Sequence, residues 1–321
     1  MFRPIAFVGG CLLLAAAAQA QERTLRQDTR GPGSTPRFGL ITATRALGEQ
    51  VVDQEGKKLG SIRDLAVDLT HGRIAFALLQ LEPSDGDEDR RYPVPWTALS
   101  YPADGRETRE MRFTLRMDGD RLKEAVSIPA DQLSELTSSR LGEQVYAFFN
   151  ERPYWDTGSR LRGEPTSPLS EDRRRSSRTR EVPRMNNAAS PAERRIVTTN
   201  IDLMYRDVHH ASNGENLGQI SDLLIDRNTG DVGFVVVRFH ATSSVRRAYP
   251  DREFAALPFA MFQVPRGKDT TAPIMIECCL ERVKQNAFSE HQWPDLSSQA
   301  WAKSVFDSFG RQPYWEKSAR R

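Results

Sequence analysis

The chain has 321 residues, 38% hydrophobic and 27% charged, with 45 Lys and Arg against 43 Asp and Glu. That length holds two ordinary domains, and the composition suits soluble globular structure. A formal charge of +2 excludes a whole-molecule field aimed at nucleic acid, and three cysteines, one of them Cys11, exclude a disulfide framework.

Residues 1–20 read as a secretory signal peptide. Arg3 supplies a positive start, Ile5 to Ala18 is almost wholly apolar or small, and Ala18-Gln19-Ala20 has the A-x-A form of a cleavage site. The run is too short and wrongly flanked for a bilayer span. The mature protein is therefore expected outside the cytoplasm, which means the periplasm if the source is a Gram-negative bacterium. Residues 21–38 read as a short disordered leader.

Residues 39–157 read as a first β domain. Glu55-Gly56 is a turn dipeptide, and Gly72 closes the hairpin loop that Asp68 opens, Asp bonding the loop backbone and Gly taking a positive φ. Ile74–Leu81 is β-branched and apolar enough for a buried strand. Ile62, Leu65 and Val67 break strict alternation, which predicts a bulge at Arg63-Asp64 that returns all three to one face. Tyr92-Pro-Val-Pro-Trp96 and Met111–Leu115 follow as further strands. Leu141, Val145 and Phe149 then recur at helical spacing, in a helix ending before Pro153.

Residues 158–196 hold no aromatic residue, many serines and an excess of arginine over acid, a composition that cannot bury a core and reads as a disordered linker. Arg173, Arg174, Arg175, Arg178 and Arg180 are candidates for weak contact with an anionic envelope surface. Glu171, Asp172 and Glu181 dilute them, and a solvated linker accounts for the same composition.

Residues 197–321 then repeat the first domain. LGSIRDLAVD at 59–68 is answered by LGQISDLLID at 217–226. Gly214 matches Gly56, Asp226 matches Asp68 and Gly230 matches Gly72, and the bulge signal recurs at Ser221-Asp222. Ala256–Phe259 answers the Val-Pro-Trp element, and Ile274–Cys278 answers the last strand. WAKSVFDSFGRQPYW at 301–315 answers LGEQVYAFFNERPYW at 141–155. Self-similarity of this size means two copies of one domain.

The Gly-x-x-x-Gly-x-Ile-x-Asp-Leu-x-x-Asp-x-x-x-Gly pattern, followed by Val-Pro-Trp, resembles the PRC-barrel domain. That family occurs in the H subunit of purple-bacterial photosynthetic reaction centres and in a ribosome maturation factor. The resemblance covers about residues 41–118 and 198–280 and implies, for each copy, a small, mostly antiparallel β-barrel. It transfers no functional residue. The fold expected is thus mainly β: two such barrels, each with a C-terminal amphipathic helix, a private apolar interior, and freedom to engage separate sites across the linker.

Little points to chemistry. None of the five histidines pairs with another at metal-ligand spacing, and His209-His210 on a strand point to opposite faces. Asp64 and Asp68 lie about 13 Å apart on an extended strand, beyond the reach of paired-carboxylate hydrolysis. Adjacent Cys278 and Cys279 read as one core thiol and one shallow thiol, with a strained disulfide as the alternative. No catalytic residue, metal site or cofactor is assigned, and no nucleic acid is expected.

Tyr154, Trp155, Tyr314 and Trp315 carry the remaining interest, either as anchors for a protein partner or as latches on the chain's own barrels. Two functions stand at this level. One is an exported, non-catalytic interaction or scaffolding protein; the other is a small-ligand or metal-binding enzyme with its site at a barrel mouth.

Overall fold

Each copy is organised by the long strand that the repeated decapeptide forms, and short strands gather on either side of it. The computed structural model describes residues 38–82, 89–101, 112–155, 197–263 and 272–318. The residues read as a signal peptide, almost all of those read as a leader, and the stretch read as a linker, with Arg173, Arg174, Arg175, Arg178 and Arg180, lie outside them. Copy one runs β1 (Leu40–Thr42), β2 (Gln50–Val52), β3 (Lys58–Asp68), β4 (Arg73–Leu81), β5 (Arg90–Pro95), β6 (Leu99–Ser100), β7 (Arg112–Leu115) and β8 (Ile128–Pro129). Copy two runs β9 (Val197–Thr199), β10 (Asp207–His210), β11 (Asn216–Asp226), β12 (Val232–Phe239), β13 (Phe254–Pro258), β14 (Phe262–Gln263), β15 (Ile274–Ile276) and β16 (Ala287–Phe288).

The two sheets have the same order, β6-β7-β2-β3-β4-β5-β8 and β14-β15-β10-β11-β12-β13-β16. Register shifts fall between Ile62 and Asp64 and between Ile220 and Asp222, where the spacing predicted bulges. The expectation of closed barrels is corrected: both sheets are open paths. In each, one pairing is parallel, β7 along β2 and β15 along β10, within an otherwise antiparallel order. The edge strands β6, β8, β14 and β16 are two residues long, and β8 ends in Pro129, so none carries a ladder on which a sheet could close.

A second correction concerns the interiors. β1 precedes copy one yet pairs with β11 of copy two, Leu40 opposite Asp226 and Thr42 opposite Leu224. β9 precedes copy two yet pairs with β3 of copy one, Val197 opposite Asp68 and Thr199 opposite Ala66. The exchange is reciprocal and relates the copies by a pseudo-two-fold axis. Buried residues of both copies, among them Ile62, Trp96 and Phe113 with Ile220, Leu223 and Phe234, form one continuous cluster. A smaller cluster around Phe76 and Tyr146 includes Val197 from the exchanged β9. A three-residue strand completes any sheet edge of matching polarity, so a repeat cannot announce which copy its arm will join. Burial of each such aliphatic side chain is worth about 1.5–3 kcal/mol.

Helices Ser139–Phe148 and Gln299–Ser308 start at the Ser138 and Ser298 hydroxyls, which accept from the Leu141 and Trp301 amides. Each ends on a left-handed residue, Asn150 (φ 55°) or Gly310 (φ 64°). The next amides reach back, Glu151 N–H to Tyr146 O and Arg311 N–H to Phe306 O, both at 2.9 Å. That six-to-one closure stops the helix ahead of Pro153 and Pro313. The chain then turns back onto the sheet through Pro-Tyr-Trp.

Candidate functional site

The predicted turn residues and the predicted aromatic anchors meet. Asp68 Oδ1 accepts from the Thr70 and His71 amides at 2.9 and 3.1 Å. Its Oδ2 accepts from Tyr154 Oη at 2.6 Å and faces His71 Nδ1 at 3.0 Å. Asp226 repeats the arrangement: Oδ1 accepts from Asn228 and Thr229 N–H at 2.8 and 3.2 Å, and Oδ2 from Tyr314 Oη at 2.8 Å. Burial pushes the Asp68 carboxyl upward, but hydrogen bonds from His71 and Tyr154, with the charge of His71, leave it below its ordinary value. Burial, then the Asp226 charge, hold the Tyr314 phenol well above its ordinary range.

The tryptophans lie on the same latches. Trp155 packs edge-on against Tyr146 at 5.0 Å, and Trp315 against Phe306 at 5.5 Å and Phe38 at 5.1 Å. Tyr154, Trp155, Tyr314 and Trp315 are half-buried on the chain itself. Gly56 and Gly214 take φ of 84° and 69° in open turns. Gly72 and Gly230 face tighter limits. A Cβ on Gly72 would stand 2.6 Å from Phe259 Cδ1, and one on Gly230 2.8 Å from Trp96 Cδ1, each aromatic belonging to the opposite copy.

Asp64 and Asp222, at the bulges, hold the exchanged arms. Asp64 accepts from the backbone of Leu65, Ile201 and Asn200, and Asp222 from Leu223, Thr44 and Ala43. Each long strand thus caps the short helix that follows the other copy's first strand. Burial raises both carboxyls above the ordinary value, and the backbone donors offset it only in part.

A surface that sequence reasoning missed lies in copy two. Tyr205 adopts φ 65°, where its counterpart Gly48 adopts φ 81°. The equivalence is fixed by their amides, Gly48 N–H to Ile62 O at 2.7 Å and Tyr205 N–H to Ile220 O at 2.9 Å. A left-handed backbone costs a side-chain-bearing residue about 1–2 kcal/mol, yet the Tyr205 ring is not placed there to fill a core. It is 77% exposed, and Ile201, four residues earlier, is 63% exposed. Aligning the repeat upstream of Val51 and Val208 sets Tyr205 against Gly48 and would have exposed the anomaly.

Beside Tyr205 opens a cleft of ≈ 460 Å³ lined by Ser221, Arg238, His240, Arg246 and Glu253. Its charges are of mixed sign. Arg246 pairs with Glu253 at 2.9 Å, His240 lies 4.0 Å from Asp207, and Arg238 stacks 5.9 Å over Phe254. The hollow of ≈ 640 Å³ in copy one lies elsewhere, between Asp53, Lys57, Arg116, Asp118, Arg121 and Asn150. Among the described residues, these two hollows are lined by non-equivalent positions of the repeat.

His210 is buried and engaged at both nitrogens, by Asn213 Oδ1 at 3.0 Å and by Cys278 O at 2.8 Å. Cys278 and Cys279 are free thiols; burial, then neighbouring Cys279, push Cys278 up to about 11. Among the described residues, no group of three or more His, Cys, Asp or Glu side chains converges as a metal site would require. None of the described helices is long and apolar enough to cross a membrane. A family model, the PRC-barrel domain, matches residues 38–109 and 202–271. Among curated proteins nothing matches the chain.

Proposed function

From two PRC-barrel domains that complete one another within a single chain, we propose a non-catalytic interaction protein, exported to the periplasm and holding a protein partner on the Tyr205 face of copy two. One observation carries this reading: a tyrosine occupies a left-handed backbone position that the other copy gives to glycine, and its ring faces solvent. Strain retained without a packing return marks a functional position, and exposed tyrosine is a favoured centre of protein interfaces. Ile201, on the short helix that precedes Tyr205, adds exposed apolar area, and the mixed charges of the adjoining cleft supply a polar rim. The Pro-Tyr-Trp residues serve as latches, because their hydroxyls are engaged by Asp68 and Asp226. Non-equivalent hollows in the two copies support an interaction role over an enzymatic site repeated at each mouth.

Photo-crosslinking in the native host tests it. A benzoyl-phenylalanine replaces Tyr205 or Ile201 in turn, with exposed Lys57 as control. The expected result is one discrete protein adduct from positions 205 and 201 and none from 57. Equal labelling from all three positions, or no adduct together with a small ligand or metal that stays with the purified protein, overturns the proposal in favour of the enzyme alternative.

A further inference from the structure

The two copies meet across the pseudo-two-fold axis, and one residue pair on that axis breaks the symmetry. Arg73 and Asp231 hold the same position of the repeat, directly after Gly72 and Gly230. They face each other as an antiparallel bridge. Ile74 N–H donates to Gly230 O and Val232 N–H to Gly72 O, both at 2.8 Å. Arg73 Nε lies 3.9 Å from Asp231 Oδ1, with only 21% and 20% of the two side chains exposed. The guanidinium also donates to Thr229 O and lies 5.0 Å over the Tyr154 ring.

A two-fold interface sets an axial residue against its own equivalent. Copy one joined to copy one would place Arg73 against Arg73. Copy two joined to copy two would place Asp231 against Asp231. Only the mixed pairing brings opposite charges together, and the site is shielded enough from water for the difference to count. One other contact leans the same way. The Arg227 guanidinium lies 5.3 Å over Tyr101, and the counterpart of Arg227 is Leu69, which has no cation to place there.

We propose that Arg73 and Asp231 form a recognition code that makes each copy accept only its opposite, so that the strand-exchanged surface closes within one chain and refuses like copies from other chains. Attraction selects the mixed pairing, like-charge repulsion rejects the two homotypic ones, and the shared chain supplies the high effective concentration that favours a partner from the same molecule.

The test uses full-length chains carrying Arg73→Asp or Asp231→Arg. In either variant alone every pairing sets like charges together, and each should remain a destabilised monomer. In an equimolar mixture, unfolded and refolded together, opposite charges exist only between the two kinds of chain. Size-exclusion chromatography with light scattering should then show a one-to-one heterodimer as the main species. The doubly reversed Arg73→Asp/Asp231→Arg chain should return to a monomer with most of its stability restored. A mixture that stays monomeric, or a double reversal no more stable than either single, overturns the proposal. Should a reversal fail to fold, Arg73→Gln and Asp231→Asn replace it. Their double-mutant cycle should show at least a threefold coupling in the folding equilibrium constant, and strict additivity would be the refuting result.

Discussion

Removing the two latch hydroxyls, Tyr154→Phe and Tyr314→Phe, should cost different amounts although the repeat makes them equivalent. Both hydroxyls donate to a buried aspartate, at 2.6 Å to Asp68 and 2.8 Å to Asp226. A hydrogen bond to a charged group is worth about 1.5–3 kcal/mol, and a buried acceptor left without a donor adds its own penalty. Asp68 Oδ2 keeps His71 Nδ1 at 3.0 Å after the tyrosine hydroxyl is lost. Copy two has Thr229 where copy one has His71, and Thr229 bonds Asp226 through its backbone to Oδ1. Among the described residues, Tyr314 is the side-chain donor given to Asp226 Oδ2, and copy two has no histidine in the place of His71. Tyr154→Phe should cost about 1.5 kcal/mol and Tyr314→Phe about 2.5–3 kcal/mol. Urea unfolding followed by tryptophan fluorescence at pH 7 measures both, from midpoints at unchanged slope. Equal costs, or a larger cost for Tyr154→Phe, would refute the argument that His71 shares the load. Asp68 sits below its ordinary value, so its contribution is present above the unfolded pKa near 3.8 and lost as pH falls through the folded value. Tyr154→Phe removes one of the causes holding it down, and acid unfolding should begin at a higher pH.

Asp64 and Asp222 are shifted the other way, so their part of the stability should fall as pH rises from about 3.8 toward their raised folded values; the difference in urea midpoint between wild type and Asp64→Asn/Asp222→Asn across that range reads it directly. Gly230→Ala should cost about 2–4 kcal/mol, from a positive φ of 78° and a Cβ 2.8 Å from Trp96, whereas Gly56→Ala, with φ 84° but open space, should cost only about 1 kcal/mol by thermal melt. Asn200 is 1% exposed with neither amide atom hydrogen-bonded, and its counterpart is fully buried Ala43, so Asn200→Ala should stabilise by about 1 kcal/mol in urea. Tyr205→Gly should gain about 1 kcal/mol by relieving the backbone while lowering recovery of the partner crosslinked at Ile201; a variant that loses stability would show that the ring is a packing element.

The periodic signals in this chain were local, and what they fixed was local. Bulges at Ile62–Asp64 and Ile220–Asp222 could be read because side-chain alternation has a period of two and each interruption is visible in three residues. Turn glycines could be read because a positive φ has few other occupants, although only Gly72 and Gly230 are also pressed by an aromatic ring. The partner of β1 could not be read: Leu40-Ile41-Thr42 carries the same apolar surface whether it lies on β3 or β11. Tyr205 escaped because helix or strand periodicity contains no signature for a left-handed residue that is not glycine.

Strand exchange changes what duplication can do for binding. Two barrels tethered loosely would gain from engaging two sites at once, with each barrel free to find its own target. Here each copy borrows its first strand from the other's sequence, each bulge aspartate caps the other's helix, and Gly72 and Gly230 each lie beneath the other copy's aromatic ring. Separating the copies would uncover the shared cluster that holds Ile62 and Ile220 alike and orphan buried amides at Ile74 and Val232. Such a pair moves as one body, so avidity gives way to division of labour. One copy's surface can then carry the contact while the other keeps the frame, and Tyr205 against Gly48 is where the copies differ by a ring set in solvent.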